Sequence, residues 1–312
     1  MFNLTVWNTN VNARQVVEFW VEGDENYLES ERVRFTAVIS FWEWGDETGA
    51  NNDYMDDDWI QGMMDYIAVR GTDEAWVGKR KVMKLIAPAF NYTYDGGTIP
   101  MICIGVDKDA PNSISLIADS TGYEKQQFNQ SEDSEWPRKT EDISQPEYIL
   151  NCQDYIIENP YVLASVLPGK DYLIPMKKQY WTGEETKIHE CIAAIPSAAE
   201  LGITSDLIST YIGGQNNEYT EGVHSPYEYF IDNERRIRKE YDTNKPVVYW
   251  TRSTSDDGNK AEGTNINKNQ IVVNADGTAS TLNKTTPLTD SSCAYPVFIV
   301  CYGLGGEKTY DV

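Results

Sequence analysis

Residues 193–203 read AAIPSAAELGI and residues 291–303 read SSCAYPVFIVCYG, with SPYEYFIDNERRIRKEY at 225–241, VVYWTRSTSDDG at 247–258 and IVVNADGT at 271–278 between them. The order of these five pieces decides the fold. It predicts two capped helices, an aromatic-basic strand, a polar surface segment, a hairpin and a buried terminal strand. Such a chain is an α+β scaffold that displays one long polar loop.

Ser197 and Glu200 have the spacing of a capping box, in which each side chain meets the other residue's backbone N–H, and Gly202 is placed to end the turn. A further helix is expected over SDLISTYI, stopping at Gly213-Gly214. Ser225, Pro226 and Glu228 repeat the start signal. Tyr227, Phe230, Ile231, Ile237 and Tyr241 then recur on one helical face, with Glu234, Arg235, Arg238 and Lys239 largely on the other, so an amphipathic helix is expected there. Past Lys245-Pro246, the run Val247, Val248, Tyr249, Trp250 is β-branched and aromatic, which fits a buried strand. Of the 36 residues from Thr251 to Thr286, 16 are Ser, Thr or Asn, so most of that stretch belongs at the surface. Within it QIVVNADGTASTL reads as two strands joined at Asn274–Gly277. Tyr295 to Cys301 is an apolar run of strand length, expected as a central strand.

The succession IPSAAELG, YFIDNERRIR, VVYWTRS, VNADGT and AYPVFIV resembles a widespread uncharacterised domain family of gut Firmicutes and their phages. Weaker similarity extends upstream through ICIGVDKDAPNSISLIAD and EWPRKTEDISQPEYILNCQDYIIENPYVLASVLPG, so that residues 78 to 302 are covered. Tyr295-Pro296 stands where the family usually has Arg-Pro, and the Trp expected before Ile104 is missing. That family resembles the C-type-lectin fold, shared with formylglycine-generating-enzyme-like domains and with phage tropism determinants. The resemblance implies a C-type-lectin-like domain with a mixed antiparallel sheet and flanking helices. It also implies that ligand contacts cluster near the polar segment, at Arg252, Ser255, Asp256, Asp257, Asn259, Asn265 and Asn267. Tyr249 and Trp250 fall with Arg252 on the family's scaffold strand.

Charge divides the chain. Residues 1 to 75 hold 16 acidic and 4 basic residues, over half of the total net charge of −23. A boundary is therefore expected near Gly71 to Gly78. Residues 1–75 are expected to form an acidic β-rich docking module with strands in FNLTVW, QVVEFWVEG and RVRFTAVISFWEW, and residues 78–312 the display domain. The acidic excess argues against nucleic acid as a partner, because phosphates would be repelled. Hydrophobic residues make up 40% of the chain, enough for a core. No apolar stretch approaches the roughly 20 residues of a membrane span, and the N-terminus lacks the pattern of an export signal.

Chemistry is hard to find. Cys103, Cys152, Cys191, Cys293 and Cys301 are odd in number and form no CxxC pair, so buried free thiols are expected rather than a disulfide framework or zinc. Cys293 and Cys301 could still meet across strands. His189 and His224 have no metal-ligand partner at helical or turn spacing. Asp56, Asp57 and Asp58 read as a solvated acidic loop, since the spacing and central glycine of an EF-hand are missing. Asp107-Lys108-Asp109 leaves a solvated loop and a calcium site both open, with Pro111 and Asn112 beside it as ordinary turn residues. No catalytic residue, metal or cofactor is expected. Tyr, Ser, Asn and Gly are the residue types that adaptable binding loops use. The expected function is that of a phage virion protein at the tail tip or baseplate, binding a host surface glycan or protein without covalent chemistry. Other virion subunits would be partners through residues 1–75, and a homo-oligomer fits the class. Two alternatives share the fold: a capsid or tail decoration protein, and a bacterial carbohydrate-binding module.

Overall fold

The computed structural model describes residues 13–19, 33–39, 42–45, 47–86, 97–121, 125, 127–128, 167–181, 186–203, 226–240, 243–255, 262–263, 268–287 and 289–305. These residues form a mixed α+β structure of mostly antiparallel sheets with, among the described residues, one α-helix. In chain order the elements are β1 (Ala13–Phe19), β2 (Val33–Ile39), α1 (Asp57–Arg70), β3 (Arg80–Lys84), β4 (Thr98–Val106), β5 (Ser113–Ala118) and β6 (Ser120–Thr121). There follow β7 (Met176–Trp181), β8 (Thr186–Cys191), β9 (Ala193–Ala194), β10 (Arg238–Glu240), β11 (Pro246–Val247), β12 (Tyr249–Thr254), β13 (Asn269–Val273), β14 (Ala279–Asn283) and β15 (Ile299–Gly303).

The main sheet has the order β3-β4-β5-β15-β9, with every neighbour antiparallel. β5 and β15 are buried along their whole length, as strands covered on both faces must be. The apolar run at 295–301 was expected to be one strand; Tyr295 instead makes an isolated parallel bridge with Tyr249, residues 296–298 are buried coil, and pairing within the main sheet begins at Ile299. A smaller antiparallel sheet, β12-β13-β14, carries the expected hairpin. At its tip Asn274 N–H donates to the Thr278 carbonyl (2.7 Å) and Gly277 N–H to the Asn274 carbonyl (2.9 Å). β10 pairs antiparallel with β11 and parallel with β6, and β7 pairs with β8.

The N-terminal acidic stretch corrects one expectation. Asp56 to Asp58 are not a loop; they start α1. Asp56 Oδ1 accepts from Trp59 N–H at 3.0 Å, and Asp57 and Asp58 sit in the first turn, where carboxylates complement the helix dipole. Arg70 lies in the last turn and Gly71, at φ 77°, closes it. Trp59, Ile60, Met63, Met64 and Ile67 form the buried face. Trp42 packs edge-on against Trp59 and Trp76 (centroids 5.8 and 4.9 Å), and Trp44 against Trp59 (5.4 Å), each pair adding about 0.5–1.5 kcal/mol beyond area burial. Met55 joins β3 directly: its N–H donates to the Val82 carbonyl at 2.8 Å, and its carbonyl accepts from Lys84 N–H at 3.0 Å. Residues 42–70 thus share one core with the main sheet. β1 and β2 pair only with each other among the described residues.

A second correction concerns residues 226–240. Instead of an amphipathic helix, this segment is a series of turns, a 3-10 turn at Glu234–Arg236 and then β10. Ile231, expected on the apolar face, is 70% exposed. Long-range bonds hold the segment open: Tyr229 N–H donates to the Ile104 carbonyl (3.1 Å), and the Arg236 guanidinium donates to the Leu201 and Gly202 carbonyls (2.6 Å each). The SDLISTYI helix, the FNLTVW strand and residues 135–166 of the upstream similarity lie outside the described residues.

Candidate functional site

The turn between β4 and β5 carries Asp107 and Asp109, for which the sequence left a solvated loop and a calcium site both open. Asp107 holds the turn: its carboxylate accepts from Ser113 N–H (3.2 Å) and Thr72 Oγ1 (2.5 Å). Asp109 instead turns inward. It accepts from Lys178 Nζ (2.6 Å), Ser115 Oγ (2.5 Å) and Tyr227 OH (2.8 Å). Lys178, projecting from β7, spends its other two protons on Glu200 Oε1 and Tyr227 OH, both at 2.9 Å. Glu200 Oε2 accepts from Arg252 Nη1 (2.6 Å) and from Ser197 N–H (2.9 Å), while Ser197 Oγ accepts from Glu200 N–H (3.1 Å). The expected capping box is therefore present, wrapped around one hydrogen-bonded turn rather than a helix. Its glutamate serves also as the centre of a buried chain of charges.

The chain Asp109, Lys178, Glu200, Arg252 alternates in sign and sums to zero. Burial alone would lower the Lys178 pKa, but Glu200 and Asp109 outweigh it and hold the ammonium above its ordinary value. Burial, then Asp109 and Glu200, push the Tyr227 phenol well up. Lys178 stays charged and Tyr227 stays neutral at physiological pH, so neither serves as a nucleophile or base. Burial also pushes the Cys301 thiol up to about 12. The cluster is a lock joining β7, the 197–202 turn, the 226–229 turn and β12.

Arg252 and Ser255 were expected at the ligand-contact surface. Both are buried without accessible side-chain area, so their side chains do not reach an external ligand. Arg252 is held by Glu200 and by the Ile195 carbonyl (2.7 Å). Tyr249 and Trp250 are scaffold: Tyr249 OH donates to the Arg236 carbonyl (2.8 Å), and the Trp250 ring lies 5.6 Å from Phe128. Asp256, Asp257, Asn259, Asn265 and Asn267 lie outside the described residues. The connection that carries them leaves and re-enters at a closed neck, where Ser255 N–H donates to the Asn269 carbonyl at 3.1 Å.

One cleft, of about 390 Å³, was not anticipated. It is lined by Arg80 and Pro100 from the main sheet, by Asp119 and Ser120 at β6, and by Tyr229, Glu234, Ile237, Lys239, Glu240 and Asn244. Arg80 Nε and Asp119 Oδ2 form an ion pair at 3.4 Å, with side chains 40% and 30% exposed. Glu240 uses both oxygens internally, accepting from Tyr295 OH (2.8 Å) and Thr243 Oγ1 (2.5 Å). These residues come from segments separated by over a hundred positions, so no local motif announces them. Cys103, Cys293 and Cys301 are buried free thiols. Among the described residues no group of His, Cys, Asp and Glu is arranged to hold a metal ion, and no helix is long and apolar enough to cross a membrane. Comparison with family models, curated proteins and solved structures finds no match to this chain.

Proposed function

We propose that this chain is a phage virion protein with a C-type-lectin-like domain, placed at the tail tip or baseplate. It recognises a host surface ligand, glycan or protein, by non-covalent contact through the connection between β12 and β13. One observation carries the reading: a stretch rich in Ser, Thr, Asn and Asp is mounted on two paired strands with buried central residues and a hydrogen-bonded neck. Rigid scaffolds that present polar loops are the usual architecture of recognition, because the strands fix the loop ends while the tip adapts. The sequence resemblance described above supports the virion assignment. The neutral, closed charge chain behind β12 fits a scaffold role rather than chemistry.

The test uses the full-length protein. Purified protein is expected to adsorb to cells of the phage's host strain and to compete with phage for adsorption. The double variant Asp256→Ala, Asn265→Ala should weaken adsorption at least tenfold, since interface energy concentrates in few residues, while leaving the melting temperature unchanged. Immunogold labelling of purified particles should mark the tail tip. Gold spread over the head would replace the reading with decoration, and no adsorption together with no labelling would remove it.

A further inference from the structure

The cleft between β3, β6 and β10 has an unusual charge balance. Arg80 and Asp119 compensate each other, and Glu240 is satisfied by two hydroxyls. That leaves Lys239 and Glu234, both exposed residues lining the cleft. Among the described residues neither side chain has an ionic or hydrogen-bonding partner. On the same wall Ser120 Oγ is buried without a hydrogen-bond partner, and a buried polar group in that state ordinarily finds one.

We propose that this cleft binds a small zwitterion of the α-amino acid class. An anion would meet the carboxylates of Asp119, Glu234 and Glu240, and a cation would meet Arg80 and Lys239. A neutral ligand would offer neither exposed charge an opposite partner. A zwitterion answers each charge with its opposite, its carboxylate toward Lys239 and its ammonium toward Glu234. The volume of about 390 Å³ is at the small end of the roughly 300–1,000 Å³ typical of ligand sites, which limits the occupant to one small molecule. Pro100 and Ile237 offer apolar surface to a short aliphatic side chain. The cleft shares no lining residue with the β12–β13 connection, so the proposal stands apart from the receptor-binding reading.

The test is an NMR titration of the full chain at neutral pH with four probes: L-alanine, N-acetyl-L-alanine, L-alaninamide and methyl α-glucoside. L-Alanine should bind with a dissociation constant on the order of 1 mM, and each singly charged probe at least tenfold more weakly. Glu234→Gln should weaken L-alanine and L-alaninamide but leave N-acetyl-L-alanine unchanged. Lys239→Gln should show the reverse pattern. Both side chains are exposed, so the variants should keep the wild-type melting temperature. No binding of L-alanine at about 10 mM, equal binding of a blocked probe, tighter binding of the glucoside, or insensitivity to both substitutions would each overturn the proposal.

Discussion

Lys178 shows how a single side chain decides the character of its surroundings. A buried ammonium is tolerable only because three acceptors meet its three protons. Lys178→Met leaves Asp109 and Glu200 with one cation between them, and a loss of about 3–5 kcal/mol is expected, read as a lower urea midpoint. The same residue sets a pH dependence. Burial opposes the Lys178 charge, but Glu200 and Asp109 raise its native pKa. A cation whose pKa is raised on folding contributes stability that is complete below the unfolded-state value, about 10.4 for lysine, and is lost as pH rises through the native one. Tyr227, also raised, acts in the same direction. The urea midpoint should therefore hold steady up to about pH 9 and fall above about pH 10. The thiols give a second measurement. Burial pushes Cys103 and Cys301 up to about 12, so both should escape iodoacetamide at about pH 8 in the native state and react after denaturation, as read by peptide mass mapping.

At the scale of elements, the hairpin tip and the 231–233 turn depend on each other. Gly277 has φ 80°, and a Cβ there would stand 1.9 Å from the Asn233 carbonyl oxygen. Gly277→Ala combines left-handed backbone strain with a clash against main chain, and should cost at least about 2 kcal/mol in urea unfolding. The hairpin itself was legible in the sequence because Asn274–Gly277 is local turn chemistry between β-branched runs. Ser197 and Glu200 were legible for the same reason, although the turn they cap never extends. Residues 226–240 misled because the helical spacing of Tyr227, Phe230 and Ile237 is real. What prevents the helix is distant: the Ile104 carbonyl takes the Tyr229 N–H, and the Arg236 guanidinium is anchored to the Leu201 and Gly202 carbonyls. The Asp56 cap was visible as an acidic run but not as a helix start, since α1 gains its stability from tryptophans at 42, 44 and 76. Arg252 was mistaken for a contact residue because sequence shows its charge and not the Glu200 carboxylate beside it. The cleft was invisible, because its walls at 80–120 and at 229–244 lie over a hundred positions apart.

At the scale of the whole molecule, the shared core of residues 42–70 and the main sheet makes a deletion experiment informative. A chain beginning at residue 42 keeps Trp42, Trp44, the Met55 bridge and α1. It should retain a cooperative thermal transition by circular dichroism. A chain beginning at residue 76 loses all four, exposing Met83, Ile99 and their neighbours, and should melt without cooperativity. Wild-type-like melting of the shorter chain would instead make residues 1–75 a separable unit. The position of β15 has a consequence for how the protein is made. Its strand, residues 299–303, lies between β5 and β9, which precede it by over a hundred residues. During synthesis the edge of β5 that will face β15 therefore stays unpaired until that late segment leaves the ribosome, while its other edge pairs with β4. An open strand edge is a template for pairing with another chain, so neighbouring nascent chains are exposed to strand exchange until β15, the last of the described elements, is inserted.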